Sequence, residues 1–315
     1  MKSENFIKKV MESKGSDFPS CFDYHYREKG ICSIELKSDA NKKNLKQLDP
    51  WALVFVAELE EETGITINKI CFSLPSSIQN SLELEAFKRR ISFLNFNNPN
   101  IIFLIKLGDK ILELYSQDQL FNRPSNEILR NEIVKRNDED EPGRLEKDLQ
   151  AFLFGKGLGY ETSSERTNER LAIFGEDFFQ LKRKDFKIIR EFPTGVFKDK
   201  KTRASQLLSA EYIDIISLNR YGNLAVIELK IDDSKLEVIS QILNYSLFFR
   251  SYRDILIPQI EAELGKIAKK DNIFCYVVNN RYHPRFAKIK KFYQTEDKSY
   301  GFVLKQIILG YTEII

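Results

Sequence analysis

The stretch from Tyr212 to Lys230 constrains the fold more than any other part of the chain. Two seven-residue runs, Tyr212-Ile-Asp-Ile-Ile-Ser-Leu218 and Leu224-Ala-Val-Ile-Glu-Leu-Lys230, flank the turn-rich Asn219-Arg-Tyr-Gly-Asn223. β-Branched residues suit a pleated, buried surface, and a glycine in the connection can supply the positive φ of a tight turn. The pattern predicts an antiparallel hairpin in the middle of a sheet. Folded symmetrically about Tyr221, it sets Asp214 directly opposite Glu228. Side-chain alternation puts Glu228 and Lys230 on one face. Opposed like charges repel, and charged groups are seldom buried unless paired, because desolvation is costly. Three charges in an otherwise apolar hairpin therefore need a partner. A divalent cation between two carboxylates is one, since Mg2+ takes hard oxygen ligands. It would polarise a phosphoryl oxygen, with Lys230 orienting water or neutralising developing charge. A structural salt bridge from Lys230 to Glu228 or Asp214 is the alternative reading.

The neighbouring pattern extends this to α-β-β-β-α-β. Leu145, Leu149, Phe152 and Leu153 share a helical face, and residues 186–192 read as a strand before the hairpin. A helix from Asp233 to about Arg253 and a strand at Ile273–Val278 follow. Asp214 with Glu228-Leu-Lys230 resembles the motif of the PD-(D/E)xK nuclease superfamily, with Ile213 where the leading proline would stand. Gln241-Ile-Leu-Asn-Tyr245 is similar to the QxxxY motif of its RecB-like branch, and the whole stretch 211–245 looks like the core of NucS-type nucleases. The resemblance covers about residues 144–280. It implies an α/β fold with a restriction-endonuclease-like core, αβββαβ, its central mixed sheet flanked by helices. It also implies Mg2+ or Mn2+ held by Asp214 and Glu228, with Lys230 catalytic. Glu146 on the first helix would be a further ligand, with Asp148 as its rival. Gln241 and Tyr245 would support the site and contact the nucleic-acid backbone. The implied activity is a metal-dependent DNA endonuclease of prokaryotic repair, restriction or anti-phage defence. The alternatives are an RNase gated by a ligand or partner at the N-terminal domain, and a catalytically silent nucleic-acid-binding module.

Pro142-Gly143, after a charge cluster, marks a boundary. The expected division is a smaller α+β domain over 1–135, a linker over 136–143 and the nuclease domain over 144–315. In the first part, Asp49 reads as an N-cap and Pro50 as the first residue of a helix ending at Gly64. Residues 65–74 read as a strand, 81–94 as a helix and 101–115 as a hairpin. Ile34-Glu-Leu-Lys37, with Asp23 before it, repeats the IELK string, but no QxxxY follows. This domain is expected to serve recognition, regulation or dimerisation, which leaves a homodimer open.

Charge separates the halves. Residues 1–140 hold 20 Lys+Arg against 22 Asp+Glu, and residues 141–315 hold 29 against 24. The basic excess suits a polyanion, DNA first and RNA second. Lys198, Lys200, Lys201 and Arg203 form one basic group, and Arg281, Arg285, Lys288, Lys290 and Lys291 another; a solvated loop and helix face are the plainer readings. Two histidines leave little room for His-relayed chemistry, and four scattered cysteines read as reduced thiols of a cytoplasmic protein. No run of 18 apolar residues suggests a membrane span.

Overall fold

The computed structural model describes residues 18–27, 29–123, 126–130, 145–154, 170–178, 188–209, 211–268, 272–294 and 302–309. The expected linker, 136–143, lies outside them. The chain is mixed α/β. In the first half β1 (Phe22–Arg27), β2 (Ile31–Leu36), α1 (Leu45–Thr63), β3 (Lys69–Leu74), α2 (Leu82–Asn97), β4 (Ile102–Leu107) and β5 (Lys110–Leu112) form a sheet of order β1-β2-β3-β4-β5 with two helices. The short α3 (Gln117–Phe121) and β6 (Ile128–Leu129) follow. The second half contains α4 (Leu145–Phe154), β7 (Ile188–Pro193), β8 (Val196–Phe197), β9 (Gln206–Leu208), β10 (Tyr212–Leu218) and β11 (Leu224–Lys230). It continues with α5 (Glu237–Ser251), α6 (Arg253–Leu264), β12 (Ile273–Asn279), α7 (Phe286–Tyr293) and β13 (Phe302–Ile308). Its sheet runs β13-β12-β11-β10-β7, and β6, β8 and β9 make a small third sheet. No helix among the described residues is long and apolar enough to cross a membrane.

The two halves wind alike. β1 pairs antiparallel with β2, and β2, β3 and β4 are parallel, with α1 and α2 in the crossovers. β10 likewise pairs antiparallel with β11, and β11, β12 and β13 are parallel, with α5, α6 and α7 between them. α1 packs on α5 and α7, and α2 packs on both as well. One apolar cluster runs from Phe22 and Ile34 through Leu53 and Phe87 to Val226, Ile242 and Ile289. A second, on the other face of the second sheet, joins Leu153 of α4 to Ile215, Ile227 and Leu229. The helices of both halves thus share one layer between the sheets, and α4 lies on the far side of the second.

Local chemistry corrects three boundaries. Asp49 does not cap α1, which starts at Leu45; Asp49 and Pro50 lie inside it and are buried. The Asp49 carboxylate is drawn inward by Arg90, at 2.8 Å, and by the hydroxyls of Ser240 and Tyr293. The strand expected over 65–74 starts only at Lys69, because Ile67 N donates to Glu60 Oε1 and Asn68 N to Gly30 O. The long helix starts at Glu237 and is followed by a separate α6; Asp233 Oδ1 takes Lys235 N in a turn that delays it.

The hairpin β10–β11 has the expected register: Ile215 faces Ile227, Ile216 Val226, Ser217 Ala225 and Leu218 Leu224. Gly222 holds φ +72° in its turn, and a Cβ there would stand 3.1 Å from that of Ala268. Gly222→Ala is expected to lower stability by about 1–2 kcal/mol, the usual penalty of left-handed backbone for an L-residue. Urea unfolding measures it, and an unchanged midpoint would contradict the strain.

Candidate active site

The charged cluster forms where β10, β11, α4 and α5 meet. The hairpin ladder pairs residues as far as Ile215 and Ile227, and beyond them the Asp214 carboxylate takes the ladder's place: Leu229 N donates to Asp214 Oδ2 at 2.8 Å. Gln150 Nε2 of α4 donates to Asp214 Oδ1 at 3.1 Å. Glu228 is buried, 1% exposed, since it shares strand parity with Leu224 and Val226 in the core facing the helices. Lys230 Nζ lies 2.6 Å from Glu228 Oε1, 3.8 Å from Glu146 Oε1, and donates to Leu229 O at 3.1 Å. Glu228 Oε2 is buried without a hydrogen-bond partner. On α5, Gln241 Nε2 donates to Tyr245 Oη at 2.7 Å, and Tyr245 Oη donates to Tyr212 O at 2.9 Å.

Electrostatics follow from burial. Desolvation pushes Asp214 up to about 6, against the pull of Lys230 and the Leu229 N–H. Glu228 is raised well above the ordinary carboxyl range by burial and then by the charge of Asp214, with Lys230 opposing. Burial alone would lower Lys230, but Glu228, Asp214 and Glu146 outweigh it and hold the ammonium above its usual value. Two carboxyls of raised pKa beside a firmly charged lysine are the kind of perturbed set that marks functional sites.

Compared with models of known families and with curated proteins, the chain matches none. The site therefore has to be read from its own geometry. Asp214, Glu228, Lys230 and Glu146 come together, and Gln241 and Tyr245 stand on the helix beside them. Asp148, the rival of Glu146, is exposed. Among the described residues no group of three or more His, Cys, Asp or Glu could hold a metal ion. Glu146 Oε1 lies within ion-pair reach of Lys230, and the acceptors nearest a cation's needs are the two carboxylates of the hairpin.

The basic groups separate. Lys198, Lys200, Lys201, Arg203, Arg281 and Lys291 are exposed, whereas Arg285 is bound to the buried Glu58 at 2.6 Å and Lys288 pairs with Glu61. The last two tie α7 to α1, which explains them without nucleic acid. Lys290 is half-buried. Two residues escaped the sequence reading. Gln150 lies one turn beyond Glu146 on α4, a spacing that could have indicated it. Glu191 stands between Arg190 and Phe192, the partners of Ile215 and Ile213, and so at the level of Asp214, with φ +45°. Strained backbone of this kind gathers at functional sites; no sequence signal announced it.

The IELK string of the first half is placed differently. Asp23 does face Glu35 across β1 and β2, and Lys37 lies 3.3 Å from Asp23. In β2, however, Ile34 and Leu36 are buried in the core and Glu35 is exposed on the opposite face. In β11 it is the glutamate that faces the helices. One residue of parity reverses every side chain, so the second string builds no counterpart of the buried site.

Proposed function

We propose that the chain is a Mg2+- or Mn2+-dependent nuclease that hydrolyses phosphodiester bonds, with DNA as the first substrate to test. The observation that carries this reading is the buried, unpartnered Glu228 Oε2 beside Asp214 and Lys230. A carboxylate oxygen left without a donor in the interior is costly, and a hard cation is the partner it fits. Asp214 and Glu228 would hold the metal, in keeping with the one or two carboxylates Mg2+ usually takes alongside water and substrate phosphate. Bound there, it would supply Lewis-acid polarisation of the scissile phosphodiester. Lys230, charged at all working pH values, orients the attacking water or meets the charge that grows on the phosphoryl oxygens. Gln150 and the Leu229 N–H hold the Asp214 carboxylate in place, and Glu146 steadies the ammonium. Gln241 and Tyr245 fix the edge of the site against the backbone of Tyr212.

The test incubates the full-length chain with plasmid, single-stranded DNA and RNA, with Mg2+, Mn2+ or chelator. Metal-dependent cleavage of DNA is expected; cleavage of RNA alone would move the assignment to an RNase, and none with any substrate would leave the reading without support. The raised pKa values also set a pH dependence. Metal binding needs both carboxyls ionised, so activity is expected to rise as pH passes about 6 and to continue rising as Glu228 loses its proton. The linkage sign agrees: a folded carboxyl of raised pKa takes up protons on folding, so metal-free stability falls as pH rises through that range. The rise in Tm on adding Mg2+ should accordingly be larger at pH 8 than at pH 5.5, as differential scanning fluorimetry would show.

A further inference from the structure

A concavity of about 620 Å³ lies on the outer face of the first sheet, turned away from the helical layer. Small-ligand sites commonly measure about 300–1,000 Å³. Strand register fixes its lining. His25 faces Ser33 across β1 and β2, Glu35 faces Ser73 across β2 and β3, and Ser73 faces Lys106 across β3 and β4. Arg27, two residues beyond His25, shares their parity. Tyr24, Ile34, Phe72 and Ile105, one residue away in each strand, are buried in the core. The six polar side chains therefore stand on the opposite face together, and all of them line the concavity.

The site lies at the carboxyl ends of the parallel strands β2, β3 and β4, where open α/β sheets hold their ligands. Pro75 and Gly108 line that end. Gly108 N donates to Leu74 O at 2.9 Å, its φ is +56°, and a Cβ on it would stand 2.5 Å from Ser76 Oγ. The β4–β5 turn thus seats against the end of β3 because residue 108 has no side chain.

The charges of the lining are largely uncommitted. His25, Arg27 and Glu35 are exposed and make no ion pair among the described residues, and Lys106 reaches only the exposed Asp109, 3.8 Å away. Asp23, which faces Glu35, is taken up by Lys37 at 3.3 Å. Glu35 and Lys106 stand two strands apart, about 10 Å, with Ser73 between them. Cations at both sides suit an anion, and the guanidinium of Arg27 offers the fork that phosphate oxygens fit. The carboxylate in the middle would repel a bare phosphate, but it accepts hydrogen bonds from hydroxyl groups.

We propose that this concavity binds a sugar phosphate, with its phosphate on the basic side chains and its hydroxyls on Glu35, Ser33 and Ser73. Two sources share the chemistry, a free sugar phosphate and a nucleotide. The proposal does not rest on the nuclease reading, whose carboxylates belong to the other sheet.

Ribose 5-phosphate and AMP, each titrated calorimetrically into the full-length protein with chelator present, test the site without any metal. Saturable binding is expected. Arg27→Gln and Lys106→Gln should each weaken it by about tenfold or more, the loss of one charged hydrogen-bonding group. Glu35→Gln should weaken ribose 5-phosphate while leaving inorganic phosphate bound no more weakly, which damage to the fold would not do. Ser33→Leu, which fills the floor and keeps every charge, should abolish binding of both probes. Tighter binding of AMP assigns the site to a nucleotide, and equal binding to the sugar phosphate alone. No saturable binding of either probe, or variants that bind like the wild type, overturns the proposal. Binding of a single-stranded oligonucleotide in place of both small probes overturns it in favour of a nucleic-acid surface. The readout is metal-free binding, so the result is independent of whether the chain cleaves nucleic acid.

Discussion

Lys230→Met is expected to reduce metal-dependent cleavage by about 10²–10³-fold, the size of effect seen when one preorganised charge stabiliser is removed. The fold should survive. Lys230 is the main cation beside Glu228, at 2.6 Å, yet Glu228 already has its pKa raised and can keep a proton when the ammonium is gone. A second readout separates a catalytic from a structural lysine. Lys230 pulls down the pKa of both Asp214 and Glu228, so its loss should move the acid limb of the pH–rate profile upward. Asp214→Asn should have the opposite effect on Glu228, whose pKa the charge of Asp214 raises; this is measurable from the pH dependence of Mg2+ binding by calorimetry. A Lys230→Met protein with wild-type rates and an unmoved limb would remove Lys230 from the chemistry.

The largest loss of stability is expected at a different pair. Arg90 and Asp49 are 1% and 0% exposed at the side chain and 2.8 Å apart. Removing one partner of a buried pair typically costs about 3–5 kcal/mol, because the other charge stays buried and unpaired. Arg90→Met should therefore lower the free energy of unfolding in urea by that order. Replacing both residues, Asp49→Leu with Arg90→Met, should recover much of the loss. The effect should reach the site as well. Ser240 Oγ donates to Asp49 Oδ2 at 3.0 Å and Arg90 Nη1 to Asn244 Oδ1 at 3.3 Å. Ser240 and Asn244 immediately precede Gln241 and Tyr245, so the first half anchors the helix that borders the carboxylates.

What could be read from the sequence was local. The hairpin register followed from apolar alternation and from Gly222, both contained within nineteen residues, and the same counting set Asp214 near Glu228. The face of α4 was equally legible, because apolar residues three and four apart, Leu145, Leu149, Phe152 and Leu153, define it. Long-range partners were not. Asp49-Pro50 reads as a helix start by every local rule, but the partners that decide its role are Arg90, Ser240 and Tyr293, 41 to 244 residues away. The Gln150 contact with Asp214 spans 64 residues. Arg285 and Lys288 belong to a run that reads as a basic surface, and only the packing of α7 on α1 supplies Glu58 and Glu61. The two IELK strings show the limit most plainly. Identical residues lie on opposite faces, because the face is chosen by which neighbours the helices cover.

The shared helical layer also bears on how the chain is made. The strands and helices of the first sheet are complete by Leu112, but the partners of α1 and α2 include α5 and α7, the latter ending at Tyr293. During synthesis the earlier half must therefore wait, its sheet formed and one side of its helices uncovered, while nearly two hundred further residues emerge. Interrupted chains of this kind are prone to aggregate. Asp49 and Arg90, buried in the finished protein, lie in that waiting surface and would keep it partly wetted until Ser240, Asn244 and Tyr293 arrive to close over them.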